Sequence, residues 1–172
     1  MNKLLSTSTR WALLVADKLE RLHAPAQLVA RLYVANVFFL AGLTKVRDWD
    51  TTLALFADEY MVPLLSPALA AFGGTAGELV LPILLVLGLF GRLAALGLFI
   101  LNFVAVISLG EVPPAALQQH LFWGSVLAFL VLWGPGNWSV DRFLAPRLRA
   151  SARGALNPDD VSTMPHRENV AR

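Results

Sequence analysis

The sequence predicts an all-α protein: a four-transmembrane-helix antiparallel bundle with an N-terminal amphipathic interfacial helix. Three observations carry this. The chain is 56% hydrophobic and only 15% charged over 172 residues, a balance that suits a bilayer better than water. Four apolar stretches are each long enough to cross ~30 Å of hydrocarbon. The connections after the second and third, Gly88-Leu-Phe-Gly-Arg92 and Gly110-Glu-Val-Pro-Pro114, are so short that neighbouring helices must run antiparallel.

Residues 1–25 form the first element, a cytoplasmic amphipathic segment. The apolar run Trp11-Ala-Leu-Leu-Val-Ala16 is too short for a signal peptide and is interrupted at once by Asp17-Lys-Leu-Glu-Arg21. Trp11, Leu14, Val15, Lys18, Leu19 and Leu22 instead fall at helical spacing, with the Lys18 stem able to snorkel. Such a stripe lies on a membrane surface; a poorly ordered leader is the plainer alternative.

The membrane domain spans residues 26–144. Its first span runs from Ala26 to Thr44 and is followed by the one long loop, Lys45 to Leu65. Within that loop Asp50-Thr-Thr-Leu reads as a helix start, with Asp50 as N-cap, Leu53, Phe56 and Tyr60 on one face, and Pro63 as the stop. Spans two to four are Pro67–Leu89, Arg92–Leu109 and Ala115–Gly134, the last opened by Pro113-Pro114. Trp133 and Trp138 flank the break Gly134-Pro-Gly-Asn137 as interfacial anchors. Ser139 is placed to cap a short helix from Val140 to Leu144, with Asp141 in its first turn. Residues 145–172 hold several arginines and little apolar content, and read as a disordered cytoplasmic tail near anionic headgroups.

Charge sets the orientation. With the N-terminus inside, eleven Lys and Arg fall in inner segments, whereas only Lys45 and Arg47 fall outside, offset by Asp48, Asp50, Asp58 and Glu59. Both termini are therefore expected in the cytoplasm. The formal net charge of +2 gives no basis for nucleic-acid binding. The absence of cysteine removes disulfides, thiolate metal sites, iron–sulfur clusters and covalent haem from this chain. No flavin or metal is implied either.

The polar residues inside the spans carry the functional signal. Glu78 lies near the middle of span two, where a carboxylate costs roughly 2.5–3.5 kcal/mol to insert. Asn36, Asn102 and Ser125 lie at similar depth in the other spans, which suggests a shared interior layer. For Asn36 and Ser125 the favoured reading is modest helix–helix bonding; for Glu78 it is function. Gly73, Gly74 and Gly77 precede Glu78 and permit close helix contact, and Pro82 leaves the Glu78 carbonyl without its helical partner. Arg31 and Lys45 are both candidates for its counter-charge.

His120 is the one histidine within a span, so a bis-histidine haem cannot be built from this chain. A quinone needs less: one or two hydrogen-bond donors and an apolar slot. His120 with Lys45 or Glu78 meets that need, although a lone histidine near a helix end more often packs. The candidate site is thus Glu78 as the proton-handling residue, with Arg31, Lys45, Asn102 and His120 around a quinone.

Several segments are similar to the DoxX family of small inner-membrane proteins. They are Arg31-Leu…Ala41-Gly-Leu-Thr-Lys45, Gly77-Glu78-Leu, Leu87-Gly-Leu-Phe-Gly-Arg92, Ala94-Ala-Leu…Asn102 and Gly134-Pro-Gly-Asn-Trp-Ser139-Val-Asp141-Arg142, covering about residues 28–144. The resemblance implies a four-helix protein of the bacterial inner membrane. It also implies a subunit of a quinone-linked oxidoreductase, such as thiosulfate:quinone oxidoreductase, that anchors a redox partner and binds quinone. Relatives in the wider group act as maturation factors, so a non-catalytic membrane scaffold or biogenesis factor is the alternative. The expected partners are membrane lipid and either a second subunit or another copy of the chain. A small transporter comes third, because no inverted repeat is visible.

Overall fold

A computed structural model describes residues 2–144, 146 and 147. The tail expected from residue 145 otherwise lies outside the described residues. Five helices follow in order: α1 (Asn2–Arg47), α2 (Trp49–Asp58), α3 (Pro67–Leu87), α4 (Gly91–Ser108) and α5 (Pro114–Trp133). Four of them, all but α2, are long and apolar enough to cross a membrane. Among the described residues there is no strand, only one antiparallel bridge between Tyr60 and Leu109.

The expected boundary at residue 25 is not a helix boundary. α1 continues through Pro25 as one 46-residue helix, about 70 Å long at ~1.5 Å per residue. Proline removes a single bond, to the carbonyl of Arg21, and the good helix formers Ala24, Ala26 and Gln27 around it carry the helix across. Trp11, Leu14, Val15, Lys18, Leu19 and Leu22 are all exposed, so no described part of the chain covers the stripe.

α3 packs on α1 and α4, α4 on α5, and α5 more lightly back on α1, closing a ring. The core is Val34, Ala35 and Phe38 of α1, Leu85 of α3, Ala94, Ala95 and Leu98 of α4, and Leu127 and Leu130 of α5. The small Ala94 and Ala95 allow close approach of α4 to its neighbours. A second cluster, Phe56 against Ala70 and Ala71, seats α2 on the first turns of α3.

α2 begins two residues earlier than expected. Its cap is Asp48, not Asp50: the Asp48 carboxylate accepts from Thr51 N at 3.1 Å and from Thr51 Oγ1 at 2.7 Å. Those bonds hold the Asp48 carboxyl below its ordinary pKa. The helix also stops before Pro63, at Asp58, because the chain then turns to pair with the end of α4. Met61 N donates to Ser108 O at 2.8 Å beside the Tyr60–Leu109 bridge.

At the other end, the α3–α4 turn closes on Gly88. Gly88 has φ +65°, its N–H bonds to Leu85 O, and Leu89 N bonds to Leu84 O, the pairing of a Schellman motif. A Cβ at Gly88 would also run into Ser139 Cβ and come within 2.6 Å of Arg31 Nη1. Gly88→Ala should therefore cost more than the ~1–2 kcal/mol of a left-handed backbone alone, read as a lowered thermal unfolding midpoint in detergent; an unchanged midpoint would show that this end is free to rearrange.

Candidate functional site

The structure chooses between the two counter-charges. Lys45, in the last turn of α1, places Nζ 2.5 Å from Glu78 Oε2 in the middle of α3. The two side chains are 23% and 16% exposed. The helices approach closely here because Gly42 faces α3: a Cβ on it would sit 2.9 Å from the Leu79 side chain and 3.1 Å from Glu78 Cβ. Glycine in α1 thus sets the spacing at which Lys45 reaches Glu78.

Both residues line a cavity of about 410 Å³, within the ~300–1,000 Å³ range of small-molecule sites. Its roof is Phe56 and Tyr60, and its walls include Gly73 and Gly74 of α3 and Ile100 and Val104 of α4. The roof is tied down at both ends. Thr52 Oγ1 donates to Lys45 O at 3.0 Å and to Asp48 O at 2.8 Å, while Met61 is bonded to Ser108. Burial, with the Glu78 and Glu59 carboxylates adding to it, pushes the Tyr60 phenol up, so it keeps its proton and stays a donor. Tyr60 was legible as sharing one face with Leu53 and Phe56, although α2 ends before it, but not as part of a site, because nothing in its spacing names the helices it meets.

Asn102 and His120 do not join this cavity. They form their own contact between α4 and α5: Asn102 Nδ2 donates to His120 O at 3.0 Å, and His120 Nδ1 lies 2.9 Å from Asn102 Oδ1. With the amide nitrogen fixed by the carbonyl, Oδ1 is the acceptor, so Nδ1 carries the ring proton. Asn102 sits on the face of α4 toward α5, whereas the cavity lies on the face toward α3. Trp123 packs edge-on against the His120 ring, 5.1 Å between centroids.

Arg31 is also elsewhere, 14 residues and about 21 Å down α1 from Lys45. It is fully buried. Its guanidinium donates to Trp138 O at 2.6 Å, Val86 O at 3.4 Å and Leu85 O at 3.5 Å, and its Nε has no partner among the described residues. It ties α1 to the end of α3 and to the segment after α5. Asp141 completes this knot by capping α4: its two carboxylate oxygens accept from Phe90 N at 2.8 Å and Gly91 N at 2.7 Å. Ser139, expected as an N-cap, instead donates to Gly136 O at 2.7 Å.

The shared polar layer is not formed. Asn36 is exposed in a groove beside Pro82 on the outside of α1 and α3. Ser125 is exposed and bonds back to Leu121 O at 2.6 Å along its own helix. Equal depth had placed these residues at one level, but depth says nothing of the direction in which each one points around its helix.

Four lipid-length helices, an interhelical ion pair and a capping α2 define a small multi-pass membrane protein. The profile of the DoxX family matches residues 26–111, half of the chain. The chain belongs to the DoxX family. The match includes Arg31, Lys45, Glu78 and Asn102; it ends before His120 and the Asp141 segment. No curated protein matches the chain, and no solved structure does.

Proposed function

We propose that the chain is the membrane subunit of a quinone-linked oxidoreductase complex of the bacterial inner membrane. Both termini lie in the cytoplasm in this reading, and the cavity lies in the outer half of the bundle. The observation that supports it is the Lys45–Glu78 pair at the floor of an otherwise apolar cavity roofed by the Tyr60 phenol. Quinone carbonyls accept hydrogen bonds, and this donor set suits them: Lys45 has two further N–H bonds to give, and Tyr60 has its O–H. A quinone, when bound, supplies a two-electron, two-proton acceptor. Lys45 and Tyr60 would orient it and the apolar walls would exclude water; the Lys45 ammonium would release one proton and recover it through Glu78 after that carboxylate takes a proton from the outer side, and the second proton would follow by the same route. Electrons come from a partner subunit, because a chain without cysteine cannot hold an iron–sulfur relay.

Glu78→Gln keeps the shape and a hydrogen bond to Lys45 while removing the acid. Quinone reduction attributable to this chain, measured in membranes against membranes lacking it, should fall about 100-fold or more, with the amount of chain and of co-purifying subunit unchanged. Normal turnover in that variant would end the proton role.

A second reading, a non-catalytic scaffold or biogenesis factor, is favoured by where the other polar residues go. Arg31, Asn102 and His120 all hold helices together and leave the cavity to Lys45 and Glu78. Under it Glu78→Gln would change partner recovery with no separable redox defect.

A further inference from the structure

We propose that the Lys45–Glu78 cavity is loaded sideways from the bilayer, through a gap between α3 and α4 at Gly73, and that its ligand is a neutral headgroup on an apolar chain. The inference rests on the cavity reading above and adds the route, the charge class and the seat of the chain.

The seam between α3 and α4 is tight in its middle. A Cβ on Gly77 would sit 2.7 Å from Leu101 Cδ1, and one on Gly97 would sit 2.8 Å from Leu81 Cδ1. One turn above Gly77 the contact is lost: a Cβ on Gly73 would meet nothing within 4 Å, and Gly73 itself is exposed. Across from it, Ile100 and Ile107 line the cavity and are also 52% and 48% exposed on the outside of the bundle. Residues that belong at once to the cavity wall and to the outer surface mark an opening. It lies about 9 Å into α3 from Pro67, flanked by exposed Leu69, Phe72 and Phe103, so it faces hydrocarbon.

The roof points the same way. Met61, Leu64 and Leu65 follow Tyr60, are exposed, and are all apolar; Leu64 is held at φ +67° with its side chain fully outward. A segment built this way sits in the interface and closes the cavity above, which leaves the seam as the way in. The head must be neutral, because Lys45 and Glu78 already neutralise each other. An anion or a cation would lose its hydration and find no net counter-charge. A carbonyl- or hydroxyl-bearing head finds donors in Lys45 and Tyr60, and its chain lies between Gly73 and Ile100.

The test uses the full chain in phosphatidylcholine nanodiscs and two photoprobes: a benzoquinone with a decyl chain ending in a diazirine, and a phosphatidylcholine with the same diazirine. The quinone probe should label the seam around Leu69, Phe72, Ile100 and Phe103, and excess unlabelled decyl quinone should remove that labelling. Phosphatidylcholine labelling there should not be competed by the quinone. Gly73→Trp, or Ile100→Trp should the first not fold, should abolish the competed labelling at an unchanged unfolding midpoint. A short-chain benzoquinone, which needs the same entry, should raise the midpoint of the unmutated protein and lose that effect in either variant. Competed labelling that survives the plug, or that maps to the α1–α3 groove at Asn36, overturns the route while leaving the ligand reading standing. If neither quinone labels competably or raises the midpoint of the unmutated protein, the cavity reading itself falls.

Discussion

Arg31→Met should lower stability by about 2–4 kcal/mol, the largest loss expected from any single polar side chain in the bundle. The substitution fills similar volume but strands the carbonyls of Trp138 and Val86, which the guanidinium now satisfies from a fully buried position. Arg31→Lys should recover only part of it. A single ammonium cannot span the end of α3 and Trp138 together as a planar fork does. The measurement is the unfolding midpoint of the purified protein in detergent, with protease access to residues 134–144 as a second readout. An Arg31→Met protein with the midpoint of the unmutated chain would mean that those carbonyls find other donors.

The second large effect is at the opposite end. Lys45→Met removes the partner of a carboxylate that is only 16% exposed and should cost about 2–3 kcal/mol, less than the ~3–5 of a fully buried pair because Lys45 itself is 23% exposed. Lys45→Met combined with Glu78→Leu should return to within about 1 kcal/mol of the unmutated chain, since a buried ion pair often gives little net stability over apolar side chains. A thermodynamic cycle over the three variants isolates the coupling. Losses that simply add would show that the pair does not interact energetically. With the pair coupled but dispensable for folding, its chemical use becomes the stronger reason for its presence.

The helices were legible because length and hydropathy alone specify a bilayer span. The starts and stops of α3, α4 and α5 fall within a few residues of expectation for that reason. Glu78 was legible too, since an acid at that depth is costly wherever it points. Its partner was not, because Arg31 and Lys45 lie toward opposite ends of the first span and only the packing of α1 on α3 decides between them. The expected cluster of Arg31, Lys45, Asn102 and His120 separates into three places for the same reason. Sequence spacing gives height along a helix and the face within it, but the order of helices around the ring decides which faces meet. Asp141 shows the limit most clearly: it caps a helix that starts 50 residues earlier in the chain.

α1 is a beam with one soft point. From Arg31 to Lys45 it is clamped at two stations, one on the end of α3 and one on Glu78. Toward the N-terminus, Trp11 and residues 13–23 are exposed and unbraced by any described part of the chain, and Pro25 cannot make the backbone bond to the Arg21 carbonyl. Bending is therefore cheapest there, just before Gln27 and Arg31 tie the helix to the segment after α5. The N-terminal part can swing there while Arg31 and Lys45 keep their positions. Pro25 thus separates the N-terminal part of the helix mechanically from the end that positions Lys45 over Glu78.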